Sequence, residues 1–201
     1  MKKMLAISIF FVAVSSAAFA QTAKQLMESG LLKATAKDYA GAISDYNKAI
    51  LLDSSRSEIY FNRASSKRGL GDFKGAIMDY SKSFELKPDE STRYQRALMK
   101  YQSGDLSGAL EDFNLSGNYG KQEARFFYLR GTCKLVVGGH KEAMTDFNTG
   151  IEMYPEYAET YCGRGLLKHI TGKDDEACTD FRTAKALGFT KAQTYIDQYC
   201  K

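Results

Sequence analysis

The chain has 201 residues, with 28 Lys and Arg against 24 Asp and Glu. A balance this even argues against nucleic acid as a partner, which calls for a basic face. With two prolines and no low-complexity linker, nothing marks a domain boundary inside the main body of the chain.

The first twenty residues stand apart. Lys2 and Lys3 precede an apolar run from Leu5 to Val14, and small residues follow, ending Ala18-Phe19-Ala20. This pattern predicts a signal peptide over 1–20, cleaved after Ala20. The run is shorter than the roughly 20 apolar residues that span a bilayer, and no later segment is apolar enough to do so. No Cys follows the cleavage site, so a lipid-anchored N-terminus is not expected. Loss of Lys2 and Lys3 leaves 26 basic residues against 24 acidic ones. The product expected is not membrane-spanning. It is exported, and periplasmic or secreted if the source is bacterial.

From residue 21 onward the chain repeats with a period of 33 to 34 residues. Tyr60, Arg63-Ala64, Gly71-Asp72-Phe73, Ala76, Asp79-Tyr80 and Pro88 form the clearest copy. Arg96-Ala97, Gly104-Asp105, Ala109 and Asp112-Phe113 form the next. Arg130-Gly131, Gly138, Ala143, Asp146-Phe147 and Pro155 come after it, then Arg164-Gly165, Gly172, Ala177, Asp180-Phe181 and Ala184. A fixed period describes a stack of small units, whose function lies on the surface the stack makes.

Within residues 57–90, Tyr60, Ala64 and Lys67 recur at helical spacing, as do Ala76, Ile77, Tyr80, Ser83 and Phe84. Gly71 ends the first helix by taking a left-handed conformation, and Asp72 opens the second. Pro88 stops the unit and Asp89 opens the next. Ala64 and Ala76 are small where the helices meet, each about a turn from a bulky Tyr, so the helices approach closely. One such hairpin cannot bury its apolar stripe alone, but stacked neighbours can.

These residues resemble the tetratricopeptide repeat (TPR) family: a large residue at unit position 4, Gly or Ala at 8, Ala at 20, an aromatic at 24, a small residue at 27 and Pro at 32. The resemblance implies an all-α fold, a right-handed superhelical solenoid of five helix hairpins. The units run over 23–56, 57–90, 90–123, 124–157 and 158–191, and a capping helix covers about 192–200, all within a domain of residues 21–201. Gly188 precedes the cap, which carries Ala192, Tyr195, Ile196 and Tyr199 on one face. The first unit is weak in its first helix (Leu26, Gly30). The third breaks after Phe113 into Leu115-Ser116-Gly117-Asn118-Tyr119-Gly120, an irregular loop, hinge or binding loop. Asn114-Leu115-Ser116 matches a glycosylation sequon, but it falls in a predicted helix.

Unit position 7 carries Ser29, Arg63, Arg96, Arg130 and Arg164. Position 23 carries Asp45, Asp79, Asp112, Asp146 and Asp180. The absence of Arg from the first unit, which nothing precedes, predicts a structural ladder between units: Asp45–Arg63, Asp79–Arg96, Asp112–Arg130 and Asp146–Arg164. Gln198 would then receive Asp180. Arginine–carboxylate forks would fix orientation as well as attraction.

Four cysteines, Cys133, Cys162, Cys178 and Cys200, are compatible with disulfides in an exported protein. Cys178 and Cys200 flank the last hairpin and are the favoured pair. Cys133 and Cys162 lie on neighbouring first helices, open either to a second bond or to remaining buried thiols. No CxxC, HExxH, GxSxG, Walker A or GxGxxG occurs, and His140 and His169 have no ligand-spaced partners. The Gly-Asp pairs read as helix caps, and Asp174-Asp175-Glu176 as a helix start. The expectation is a non-enzyme without cofactor or metal.

In the TPR family the first helices line a concave groove that takes peptides. Carried over position by position, the groove would comprise Phe61, Asn62, Arg68, Tyr94, Gln95, Tyr101, Arg125, Tyr128, Leu129 and Leu135, extended by Leu166 and His169. Tyr, Asn and Gln suit recognition of a polypeptide. Some members clamp a C-terminal carboxylate. Asn62 fits that arrangement, but Met27, Leu31, Ser91 and Gln95 stand where its other polar or basic groups belong. The leading expectation is a module that binds a protein or peptide partner in this groove. The alternative is an architectural subunit of an envelope assembly, using its convex face or its ends. An enzyme has no supporting constellation.

Overall fold

The computed structural model describes residues 22–200, so the expected signal peptide lies outside the described residues. Within them are eleven α-helices, one 3-10 turn and no strand. The helices pair consecutively: α1 (Ala23–Thr35) with α2 (Tyr39–Leu52), α3 (Ser57–Gly69) with α4 (Phe73–Leu86), and α5 (Glu90–Gln102) with α6 (Leu106–Leu115). Next come α7 (Ala124–Val136) with α8 (His140–Met153), α9 (Ala158–Ile170) with α10 (Asp174–Ala186), and the single helix α11 (Ala192–Tyr199). Each element packs chiefly on its chain neighbours, so the five hairpins stack in series.

The turns explain the hairpins. After α3, the Asp72 N–H donates to the Lys67 carbonyl at 2.9 Å and the Gly71 N–H to the Arg68 carbonyl at 3.0 Å. Gly71 has φ +78°, so the pattern is a Schellman C-cap requiring a left-handed residue. The Asp72 carboxylate then accepts the Gly75 N–H at 2.9 Å and caps α4. Asp38 and Asp105 cap α2 and α6 in the same way. Asp89, after Pro88, caps α5 through the Thr92 N–H.

Each second helix inserts one fully buried aromatic: Tyr46, Tyr80, Phe113, Phe147 and Phe181. The first helix of the same hairpin meets it with a small residue, Gly30, Ala64, Ala97, Gly131 or Gly165. A Cβ at Gly131 would stand 2.6 Å from Phe147 Cε1, so that hairpin is closed to the limit glycine allows. Burying each aromatic contributes about 1.5–3 kcal/mol.

The third unit departs from the others. Helix α6 stops after ten residues, and a 3-10 turn over Gly120–Gln122 replaces its last turn. The segment is held at several points. Arg93 Nη1 donates to the Leu115 carbonyl at 2.6 Å, the Tyr119 N–H to Glu90 Oε2 at 3.3 Å, and the Tyr154 hydroxyl to the Lys121 carbonyl at 2.8 Å. Ser116 and Gly120 are buried, so the segment closes the core over Tyr94 and Phe126. Asn114 is exposed, in the last turn of α6.

Helix α11 closes the far end. Ala192 is fully buried, Tyr195 stacks on Phe181 at 5.4 Å, and Tyr199 stacks on His169 at 3.9 Å. Cys178 and Cys200 are joined, with Cα atoms 5.5 Å apart, and tie α10 to the end of α11. Cys133 and Cys162 are free and buried.

Candidate binding face

The expected ladder between units does not form. Arg63 donates Nε and Nη2 to Asp79 at 2.8 and 2.6 Å, within its own hairpin. Arg96 pairs with Asp112, Arg130 with Asp146 and Arg164 with Asp180 in the same two-pronged way. The pairings Asp45–Arg63, Asp79–Arg96, Asp112–Arg130 and Asp146–Arg164 are therefore corrected to pairs within hairpins. Asp180 bonds Arg164 and Lys168, so the place foreseen for Gln198 is already taken. The reason is the geometry of an antiparallel hairpin: Arg63 and Asp79 each lie eight residues from Gly71, so the turn sets them side by side.

Three further features complete the arrangement. A lysine one turn beyond each arginine position reaches the same aspartate: Lys33, Lys67, Lys100, Lys134 and Lys168, at 2.6–2.9 Å. In the first hairpin Ser29 Oγ donates to Asp45 at 2.7 Å, in place of an arginine. The remaining Nη1 of Arg63, Arg96 and Arg164 reaches back to the preceding hairpin, to Asn47 at 2.7 Å, Ser81 at 3.3 Å and Asn148 at 2.9 Å. These units are thus linked through neutral acceptors, and the first hairpin carries Ser29 at this position, with no such arm. Burial alone would raise the Asp112 carboxyl, but hydrogen bonds from Arg96 and Lys100 outweigh it and hold it below the usual range. All five aspartates are buried and paired, which makes them structural.

The expected groove residues divide. Tyr94 is fully buried against Phe113, Phe126 and Tyr119, and Leu129 is nearly buried, so the Tyr94 ring does not line an open groove. Half-buried Tyr101 and Tyr128 pack on the central core, and Leu135 packs beside Ala143 and Phe147. Burial raises the hydroxyls of Tyr94, Tyr101 and Tyr128 above their usual range, which keeps them neutral. The inward turn of Tyr94 stems from the third unit's shortened second helix: the space next to it is filled by Tyr119 and Gly120.

The rest line two clefts. One, of about 540 Å³, joins Phe61 and Asn62 on α3 to Met27, Lys87, Asp89 and Thr92. The other, of about 500 Å³, joins Arg68 on α3 to Leu98, Met99 and Gln102 on α5, Arg125 and Leu129 on α7, and Phe73 and Tyr157. Gln95 sits at its edge, accepting from Arg68 Nη1 at 2.8 Å. Sequence reasoning missed Met99, Gln102 and Tyr157, which stand at positions the groove pattern does not cover, and passed over Leu98, which it does cover. The lysines could have been found, because they recur with the same period as the arginines.

His169 bonds Asp174 at 2.6 Å and stacks on Tyr199, at the capped end rather than in either cleft. Among the described residues no group of three His, Cys, Asp or Glu is arranged to hold a metal, and no helix is long and apolar enough to cross a membrane.

Residues 57–90 match the tetratricopeptide repeat family model. The architecture is the tetratricopeptide-repeat fold. YrrB, described as a TPR protein with an unusual peptide-binding site, superposes with a TM-score of 0.80 at 16% identity, over 88% of this chain and 92% of YrrB. A MamA protein superposes at 0.75 and 22% identity, over 85% and 94% of the two chains. MamA from Desulfovibrio magneticus RS-1 does so at 0.75 and 15%, over 82% and 94%. No curated protein matches the sequence. Both clefts are lined mainly by residues of successive first helices.

Proposed function

We propose that this protein is an exported interaction module that binds a polypeptide along the face formed by its first helices. The observation that carries this reading is the pair of clefts of about 540 and 500 Å³, each mixing apolar side chains with hydrogen-bonding ones. Apolar surface with a few oriented polar groups is what a recognition site presents. The likeness to YrrB supports the reading, since that protein has a peptide-binding site. Export rests on the sequence of residues 1–20 and accords with the Cys178–Cys200 bond.

A second reading, an architectural subunit joined through its ends, is favoured by the exposed Leu31, Leu32, Leu51 and Leu52 of the first hairpin. Photo-crosslinking in the source cell separates the two. A photoreactive residue at Asn62 or Gln102 should give a discrete adduct, and one at Met78, exposed on α4, should not. Adducts from Leu32 and Leu51, with none from Asn62 or Gln102, would favour end-on assembly instead.

A further inference from the structure

Arginines on the first helices have three fates, and Arg93 on α5 is spent on the Leu115 carbonyl and the Phe84 ring. Arg63, Arg96, Arg130 and Arg164 are each neutralised by a two-pronged aspartate. Arg68 and Arg125 are not. Arg68 is exposed and its Nη1 donates to the neutral Gln95 amide. Arg125 Nε donates to the Tyr94 hydroxyl at 3.3 Å, and the Glu123 carboxylate is 3.7 Å away, beyond hydrogen-bond reach. Both arginines line the same 500 Å³ cleft, one on α3 and one on α7, together with Leu98, Met99 and Leu129.

The geometry points to a polypeptide segment that presents one Asp or Glu carboxylate beside an apolar side chain as the occupant of this cleft. This rests on the reading that the first-helix face binds a polypeptide. Charge complementarity carries it. A carboxylate would receive charge-assisted hydrogen bonds from donors left free on Arg68 and Arg125. The neighbouring apolar side chain would pack on the nearly buried floor formed by Leu98, Met99 and Leu129. Excluding water there strengthens the ionic contact. Glu123, 3.7 Å from Arg125, puts an acid beside one of the two arginines. A run of acidic residues would meet more of that repulsion than a single carboxylate flanked by apolar groups.

Fluorescence anisotropy on the purified protein tests this with three fluorescein-labelled probes: Leu-Glu-Phe, Leu-Gln-Phe and Leu-Lys-Phe, each flanked by Gly-Ser repeats. The Glu probe should bind about tenfold more tightly than the other two, and more weakly as salt is raised. Arg68→Gln and Arg125→Gln should each weaken the Glu probe about tenfold and leave the Gln probe unchanged, with unaltered circular dichroism. Equal affinity for the Glu and Gln probes, no loss in Arg125→Gln, or no binding of the Glu probe at about 1 mM would overturn the inference. Crosslinks from Asn62 and Gln102 that survive such a result would leave polypeptide binding standing and remove only its acidic specificity. Loss of both would remove the binding reading as well.

Discussion

Arg96 and Asp112 are sixteen residues apart and face each other across one hairpin, through Nε–Oδ2 and Nη2–Oδ1 hydrogen bonds of 2.7 and 2.6 Å. The aspartate side chain is 3% exposed and the arginine 17%, so neither charge has ready access to water. Removing Asp112 strands Arg96 and Lys100 together, at a cost of about 3 kcal/mol, whereas removing Arg96 leaves Asp112 paired with Lys100 and costs less. A double-mutant cycle in urea on Arg96→Met and Asp112→Asn should show coupling of at least about 1 kcal/mol. The same cycle on Arg96 and Asp79, which lie in different hairpins, should be additive. The reverse result would restore a ladder between units.

Asp112 and Asp45 contribute to the response to acid. The Asp112 carboxyl is held low because the Arg96 and Lys100 hydrogen bonds outweigh burial, and the Asp45 carboxyl chiefly because Lys33 and then Ser29 hydrogen-bond to it. In the unfolded chain an aspartate titrates near its ordinary value of about 3.9. Between the lowered native value and that one the unfolded chain binds more protons, so stability rises with pH there. The contribution is complete above about pH 5 and lost as pH falls through the native values. Urea midpoints should drop steeply from pH 5 to pH 3, and less so in Asp112→Asn. An identical slope in that variant would show that Asp112 does not set it.

The bond between Cys178 and Cys200 closes a loop of 22 residues. In the chain-entropy model it is worth about 3 kcal/mol. Cys178→Ser with Cys200→Ser should lower stability by that order and loosen α11 first, seen as faster amide exchange over 192–199. Intact mass with and without reductant should differ by the two hydrogens of one bond. Burial pushes the Cys133 and Cys162 thiols up to about 12, so they should resist alkylation at neutral pH until the chain is unfolded. Rapid native labelling would contradict their placement.

Two glycines should fail for different reasons. At Gly71, φ is +78° and nothing lies within 4 Å of an added Cβ, so Gly71→Ala should cost about 1 kcal/mol through the backbone alone. Gly71→Asn should recover most of that, since Asn tolerates the left-handed conformation. At Gly131 the Cβ would meet the Phe147 ring at 2.6 Å, so Gly131→Ala should cost about 1–3 kcal/mol by overpacking. Gly131→Asn should be worse. Thermal unfolding of the four variants would show the two orders.

The recurrence of Gly-Asp turns, small residues and one aromatic per unit determined the hairpins, because those residues act locally or on the adjacent helix. Gly71 must take a left-handed turn, Asp72 must cap α4, and Tyr80 must find Ala64. The sequence also marked which residues would carry the buried charge, since Arg63, Arg96, Arg130 and Arg164 recur in phase with their aspartates. Which aspartate each arginine meets was decided only in three dimensions, where the turn at Gly71 sets Arg63 beside Asp79 and leaves Asn47 for its third nitrogen. The face of the stack was decided there too. Tyr94 holds a groove position by its number, yet the shortened α6 lets Tyr119 and Gly120 close over it and bury it. Tyr157 lies in a loop, outside the periodic pattern, yet it lines the cleft with Arg68 and Arg125. A period records the features every unit shares. A cleft is made where residues distant in sequence converge, and packing alone brings them together.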